Sequence, residues 1–171
     1  ASLTSLERRE GRLDHEMVLA EGDGAVRAVA RALDAGALAC AAQSLGAGRA
    51  LLAAATGYAK TRVQFGRPIG SFQAVQHRLA DVAVALEFAR PLLYAAAVTL
   101  APRDISAAKV ACGEAAYRAA RAALQVHGAI GYTAEHDLGL WLTKVRALRS
   151  AWGTPAEHRA RVLREVTRGA D

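Results

Sequence analysis

Apolar side chains recur at steps of three and four along most of this chain, and the breaks in that rhythm divide it into helices. Asp23 is placed to cap a first helix that runs through Leu33, and a longer helix over 35–63 carries Leu38, Leu45, Leu51 and Leu52 among many alanines. Gly46 and Gly48 interrupt it, each costing roughly 1 kcal/mol relative to alanine, so a close neighbour is expected beside them. Gly66, Pro68 and Gly70 then break the backbone, and Ser71 is placed to cap a helix that begins at Phe72. That helix has the clearest seam of the chain, Phe72, Val75, Leu79, Val82 and Leu86, and Pro91 should kink it. After Pro102 and Asp104 break and recap the chain, a helix over 105–127 turns Ala108, Ala115, Ala119, Ala122 and Val126 inward. A helix over 135–151 follows, with Leu138, Trp141, Leu142, Val145 and Leu148 inward. Thr154-Pro-Ala-Glu157 is a capping box for a last helix that buries Ala156, Ala160 and Leu163 and turns Arg159, Arg161, Arg164 and Arg168 largely outward. The fold class is all-α, an up-down helical bundle over 23–171 with a short extended N-terminal segment over 1–22. That segment lacks helical spacing and reads as the remnant of a preceding β-domain, since two strands alone are marginal in water.

Composition narrows the class. With 171 residues, 53% hydrophobic and 22% charged, the chain is globular and long enough for one sizeable core. Nineteen arginines and three lysines carry the net charge of +6. The arginines are scattered over every helix and aromatics make up 5%, which speaks against a nucleic-acid surface and for some affinity toward an acidic, phosphorylated ligand. Cys40 and Cys112 lie far apart in alanine-rich runs, as small buried hydrophobes in a reducing, cytoplasmic compartment. Gln, Lys or Arg interrupts each weakly polar run, so no membrane span and no signal segment is expected.

The stretch with the most chemistry is Lys60-Thr-Arg-Val-Gln-Phe-Gly-Arg-Pro-Ile-Gly-Ser-Phe-Gln-Ala74. Arg62, Gln64, Phe65 and Gln73 place a cation, two amides and an aromatic face around one tight hinge, a set that suits a planar ligand bearing phosphate, although an ordinary interhelical loop has the same outline. His77, one turn from Gln73 and from Asp81, reads as part of a surface hydrogen-bonded trio, and Glu135-His136-Asp137 as charges complementing a helix start. No Glu-x-x-His pair offers a di-iron site, so no metal is expected, and no dinucleotide fingerprint, Walker loop or Gly-x-Ser-x-Gly occurs.

Taken with Gln125-Val-His-Gly-Ala-Ile-Gly-Tyr-Thr-Ala-Glu-His-Asp137, the stretch from Tyr58 to Asp81 resembles the C-terminal helical domain of the acyl-CoA dehydrogenases, over about Gly22 to the end. The resemblance implies a bundle that packs on a second subunit, homo- or hetero-oligomeric, with FAD lying across the boundary. It also implies an acyl-CoA thioester as substrate and an electron-transfer partner. Arg62, Gln64, Phe65 and Gln73 would reach the pyrophosphate and adenosine side of FAD, and Gln125, Gly128 and Ala129 would line the facing side.

Two departures bear on mechanism. Gly128-Ala129 stands where the family usually has Gly-Gly, adding one methyl near the cofactor. The catalytic glutamate of many members precedes a Gly-Thr pair, here Gly153-Thr154, which puts Trp152 in its place. The alternative position of the base in other members corresponds to Gly36, and the nearest acid on that helix, Asp34, is the candidate base, although an acid just before a helix start is also placed as a cap. Three readings follow: a helical domain acting with a base elsewhere, a non-catalytic FAD-supporting subunit of a hetero-oligomer, or a structural helical bundle.

Overall fold

The computed structural model describes residues 20–132 and 137–168. Within them five helices pack as a bundle: α1 (Gly22–Thr61), α2 (Gln73–Thr99), α3 (Pro102–His127), α4 (Leu138–Ser150) and α5 (Pro155–Arg168). A small hairpin of β1 (Val63–Gln64) and β2 (Arg67–Pro68) joins α1 to α2. The expected segment over 1–22 lies outside the described residues except for its last three, and the Glu135-His136 part of the acidic cluster lies outside them as well.

The centre of the bundle is α3, which packs on all four other helices and most extensively on α1. Seven of its thirteen buried residues are alanine, Ala108, Ala115, Ala116, Ala119, Ala120, Ala122 and Ala123, and small side chains let neighbouring backbones approach. Opposite them α1 buries Ala41, Leu45, Gly48, Leu51 and Ala55 at steps of three and four. Gly48 is required there: a Cβ would stand 2.6 Å from Leu86 Cδ2 and 3.1 Å from Ala116 Cα, so three helices meet at this point. Gly46 has no such neighbour.

Several boundaries differ from the sequence expectation. The helices expected over 23–33 and 35–63 are one 40-residue helix, because Asp34 does not cap a new start; its carboxylate is paired with Arg161 of α5 instead. Ser71 does not cap α2 either, since its hydroxyl donates to the Pro68 carbonyl at 2.8 Å and the N-cap is Phe72. Pro91 lies inside α2, which continues through it to Thr99. Leu100, in the left-handed region at φ 50°, ends α2, and Pro102 opens α3 as its first helical residue with Asp104 in the first turn. On α4, Leu138, Val145 and Leu148 are buried as expected, but Trp141 remains 40% exposed. On α5 the inward residue is His158, not Ala156, Ala160 or Leu163, because α5 is held to α3 and α1 by His158 and Arg161. The capping box forms as read: the Thr154 N–H and hydroxyl donate to Glu157 Oε2 at 2.7 and 2.8 Å, and the Glu157 N–H returns to Thr154 Oγ1 at 3.3 Å.

By length and composition both α1 and α2 qualify as membrane spans, contrary to the reading of interrupted runs, because single polar residues do little to lower the hydropathy of an alanine- and leucine-rich helix. In α1 the apolar face is the core of the bundle. In α2 much of it is exposed, with Val84, Phe88, Leu92 and Val98 outward.

Candidate cofactor-binding site

The hinge between α1 and α2 is a two-residue hairpin, with Val63 opposite Pro68 and Gln64 opposite Arg67. Phe65 and Gly66 form the turn, and both have positive φ, 53° and 77°, as a type I′ turn requires. Glycine is at ease there; phenylalanine is not, and a non-glycine residue in the left-handed region costs on the order of 1 kcal/mol. The turn presents the Phe65 ring outward, 91% exposed, with an edge-to-face contact to Phe72 at 6.1 Å behind it. The Arg67 guanidinium covers Phe72 at 4.1 Å. The base of the hairpin is fixed to α1: a Cβ on Gly70 would stand 3.0 Å from the Ala59 carbonyl, and the Ile69 N–H donates to the Arg62 carbonyl at 2.8 Å.

The second motif comes to the same end of the bundle at the C-terminus of α3. His127 is buried and stacks on Tyr58 of α1 with ring centroids 4.4 Å apart, which sets the end of α3 beside the last turn of α1. Gly128 follows at φ 63° and ψ −140°, a backbone conformation that side chains strongly disfavour, with open space where a Cβ would be. Gly131 is needed for packing, since a Cβ would meet Leu138 Cδ2 at 2.9 Å.

Three adjoining clefts result. Gln64, Phe65 and Gln125 line the first, of about 380 Å³, together with Ile69, Phe72 and Arg78. Gln125, Gly128 and Ala129 line the second with Arg121. The third, about 570 Å³, lies between α2 and α3 and also reaches Gln125. Of the residues singled out in the sequence, Gln64, Phe65, Gln125, Gly128 and Ala129 therefore converge. Arg62, the exposed C-cap of α1, and Gln73, the exposed first residue of α2, stand outside these walls. His77 and Asp81 line the third cleft but no hydrogen bond joins them to Gln73 or to each other.

The opposite end carries the positions that the resemblance assigns to the base. Trp152 has φ 58° and its indole lies directly on Gly36: a Cβ there would be 2.3 Å from Trp152 Cδ2 and Cε3. Two buried groups of α3 and α5 hold this turn. Lys109 is 3% exposed and donates to the carbonyls of Leu148, Arg149 and Gly153 at 2.9, 3.2 and 3.5 Å; desolvation holds its pKa below the usual lysine value. His158 Nε2 lies 3.0 Å from the Trp152 carbonyl and Nδ1 lies 3.1 Å from Ser106 Oγ. The carbonyl requires Nε2 to carry the proton, so the Ser106 hydroxyl donates to Nδ1 in the neutral imidazole. Burial lowers the His158 pKa, against a smaller raising effect of the Trp152 carbonyl. Asp34 accepts both Arg161 guanidinium nitrogens, Nη2 at 3.0 Å, and sits with Trp152, His158 and Arg164 around a cleft of about 650 Å³. Lys109, Ser106 and His158 gave no sequence signal, because the partners of Lys109 and the Ser106–His158 contact are 39 to 52 residues apart and the remaining partner, the Trp152 carbonyl, is backbone.

The family described as acyl-CoA dehydrogenase, C-terminal domain, matches residues 22–167. The acyl-CoA dehydrogenase IpdE2 of Mycobacterium tuberculosis is 39% identical over 133 residues, covering 78% of this chain and 42% of that protein. A glutaryl-coenzyme A dehydrogenase in complex with glutaryl-CoA superposes with a TM-score of 0.78 at 33% identity, over 80% of this chain and 36% of the other. An FAD complex of PigA does so with a TM-score of 0.71 at 30% identity, over 74% and 34%. The chain thus spans about two fifths of the length of the relatives it matches. By sequence and by architecture, it belongs to the acyl-CoA dehydrogenase family through the C-terminal domain.

Proposed function

We propose that this chain is the FAD-holding helical domain of an acyl-CoA dehydrogenase-type flavoprotein that desaturates an acyl-CoA thioester at the α,β position. The observation that carries the reading is the convergence of Gln64, Phe65 and Gln125 on one cleft, beside the open backbone at Gly128 and Ala129. These residues fit the group: an exposed aromatic ring for a planar base, two amides for ring or ribose polar atoms, and a wall without bulk for a pyrophosphate. FAD, when bound, supplies the acceptor for the hydride leaving the substrate. The chain's own residues bind and orient it, Phe65 through its rigid turn and Gln125 through the end of α3. Arg62 and Gln73, outside the clefts, are in our reading contacts to a cofactor held by an adjacent subunit.

The exposed row Val84, Phe88, Leu92 and Val98 on α2 supports a homo- or hetero-oligomer, since an apolar face of this kind commonly marks a contact between chains. An electron-transfer partner belongs to the same proposal. Both cysteines are free and buried, which supports a cytoplasmic setting.

A second reading, a subunit that supports FAD without abstracting the proton, is favoured by Trp152 lying on Gly36. Proton abstraction needs a carboxylate within reach of the substrate, and a lost base costs a factor of about 10²–10⁴. Both positions assigned to that carboxylate lack one and fill each other's space. Asp34 stays the candidate base on this chain, and its pairing with Arg161 holds it away from free rotation. Replacing Asp34 with Asn and assaying the assembled enzyme tests the candidate: a loss of at least a hundredfold supports Asp34 as the base, and unchanged turnover removes Asp34 from that role.

A further inference from the structure

The last helix is mounted with polar side chains against the bundle and most of its apolar arc in solvent. Of the five helices, α5 separates apolar from charged side chains most sharply, and a helix of that kind ordinarily turns the apolar arc inward. Here the inward contacts come from His158, on Ser106, and Arg161, on Asp34. Of the alanines, valines and leucine of α5, only Val162 is partly covered. Leu163 and Val166 are 65% and 52% exposed, and Ala156 and Ala160 continue the same face at steps of four and three. Arg159 stands among these residues, and Arg164 and Arg168 run along their far edge. Their counter-charges are poor. Arg159 reaches Glu114 at 3.4 Å, where Arg149 already sits at 2.9 Å, and Arg168 meets Glu165 at 3.6 Å. Among the described residues Arg164 forms no ion pair, and the carboxylate of Glu157 on that edge is taken up by the Thr154 cap.

We propose that this face of α5 docks a helix of a second, non-identical chain, one whose apolar stripe is bordered by aspartate or glutamate. Docking removes Leu163 and Val166 from water, and each guanidinium offers paired N–H donors to a carboxylate. Charge decides against a second copy of this chain. Its net charge is +6, and Asp34, Glu87, Asp104, Glu114 and Glu165 are already in ion pairs, so a copy would bring more arginine than free carboxylate. A bilayer is disfavoured because two large apolar side chains are few, where interfacial helices carry Trp, Phe and Leu along the whole face. The face is on a different helix from the exposed α2 row, and its occupancy does not depend on bound flavin.

Photo-cross-linking in the native assembly tests it. The tagged chain is produced in its source cells with Leu163→benzoylphenylalanine or, so that loss of the leucine cannot itself decide the result, with Thr167→benzoylphenylalanine, and the adducts are sequenced by mass spectrometry. Both positions should give an adduct to a different chain, in a helical segment with apolar residues at steps of three and four and acids beside them. Reversing charge with Arg159→Glu/Arg164→Glu should lower the adduct yield about tenfold or more, and replacing the acids of that segment with lysine should restore it in the reversed variant. Both arginines are exposed, so the variant should keep native helical content. Adducts to this chain, whether a second copy or its own residues, to lipid, or to a segment without acids would overturn the proposal. So would no adduct at either position, or a yield within about twofold of native in the charge-reversed variant.

Discussion

Lys109→Met should loosen the turn that carries Trp152 and destabilise the bundle by about 2–4 kcal/mol. The magnitude follows from the side chain's surroundings. Lys109 is 3% exposed, and its ammonium has three donors and three carbonyl acceptors, on Leu148, Arg149 and Gly153. Two of these carbonyls end α4, where a cation also meets the negative end of the helix dipole. A hydrogen bond from a charged group contributes about 1.5–3 kcal/mol, and a buried carbonyl left without a donor costs about 1–3 kcal/mol. Against this, methionine fills similar volume and removes the cost of burying a charge, the same desolvation that lowers the Lys109 pKa. The balance of about 2–4 kcal/mol corresponds to a fall in Tm of about 4–16 °C for a chain of this size. Urea unfolding followed by far-UV circular dichroism gives the free energy, and tryptophan fluorescence should shift to the red as Trp152 is released. A midpoint within about 0.5 kcal/mol of native would refute the clamp, because it would mean that the three carbonyls find water as readily as they find the ammonium.

Two further outcomes follow from the geometry. His158 has a folded pKa below its ordinary value of 6.5, so the unfolded chain binds the extra proton first and stability must fall as pH drops below 6.5 toward the folded pKa. Urea midpoints measured from pH 8 to pH 5 should show this decline in the native protein and a flatter profile in His158→Gln; parallel profiles would contradict it. Phe65→Gly relieves the left-handed strain while losing one edge-to-face contact, so stability should stay within about 1 kcal/mol of native. Flavin affinity should nonetheless drop about tenfold or more, and an unchanged affinity would remove Phe65 from the cofactor site.

The periodic parts of the chain were legible because burial and spacing have the same cause. The α3 face of Ala108, Ala115, Ala119 and Ala122 is buried as its spacing requires, and the Thr154–Glu157 capping box forms bond for bond. Where the reading failed, a long-range contact overrode a local signal. Asp34 looks like a cap until Arg161, 127 residues away, takes its carboxylate and lets α1 run straight through. Ser71 has cap chemistry, but a hairpin with a strained turn at Phe65 and Gly66 places its hydroxyl on Pro68 instead. The amphipathic pattern of α5 points to Leu163, yet that residue is 65% exposed while His158 is buried, because specific polar contacts outweigh the burial of one leucine. For the site, Gln64, Phe65 and Gln125 were visible in two motifs whose meeting depended on Tyr58 stacking on His127. The α3 wall of the third cleft was accessible in principle, since Arg118, Arg121 and Gln125, which line it, recur at steps of three and four on one helix face.

The central claim is that the end of the bundle formed by the hairpin and the C-terminus of α3 holds FAD. Its most direct test is the visible absorption spectrum of the purified protein, assembled with its partner chain where one copurifies. Flavin bands should survive gel filtration in the native protein and be lost in a Phe65→Gly/Gln125→Ala variant that keeps native helical content. Native protein with no flavin band, alone and in its assembly, even after incubation with FAD, would contradict it.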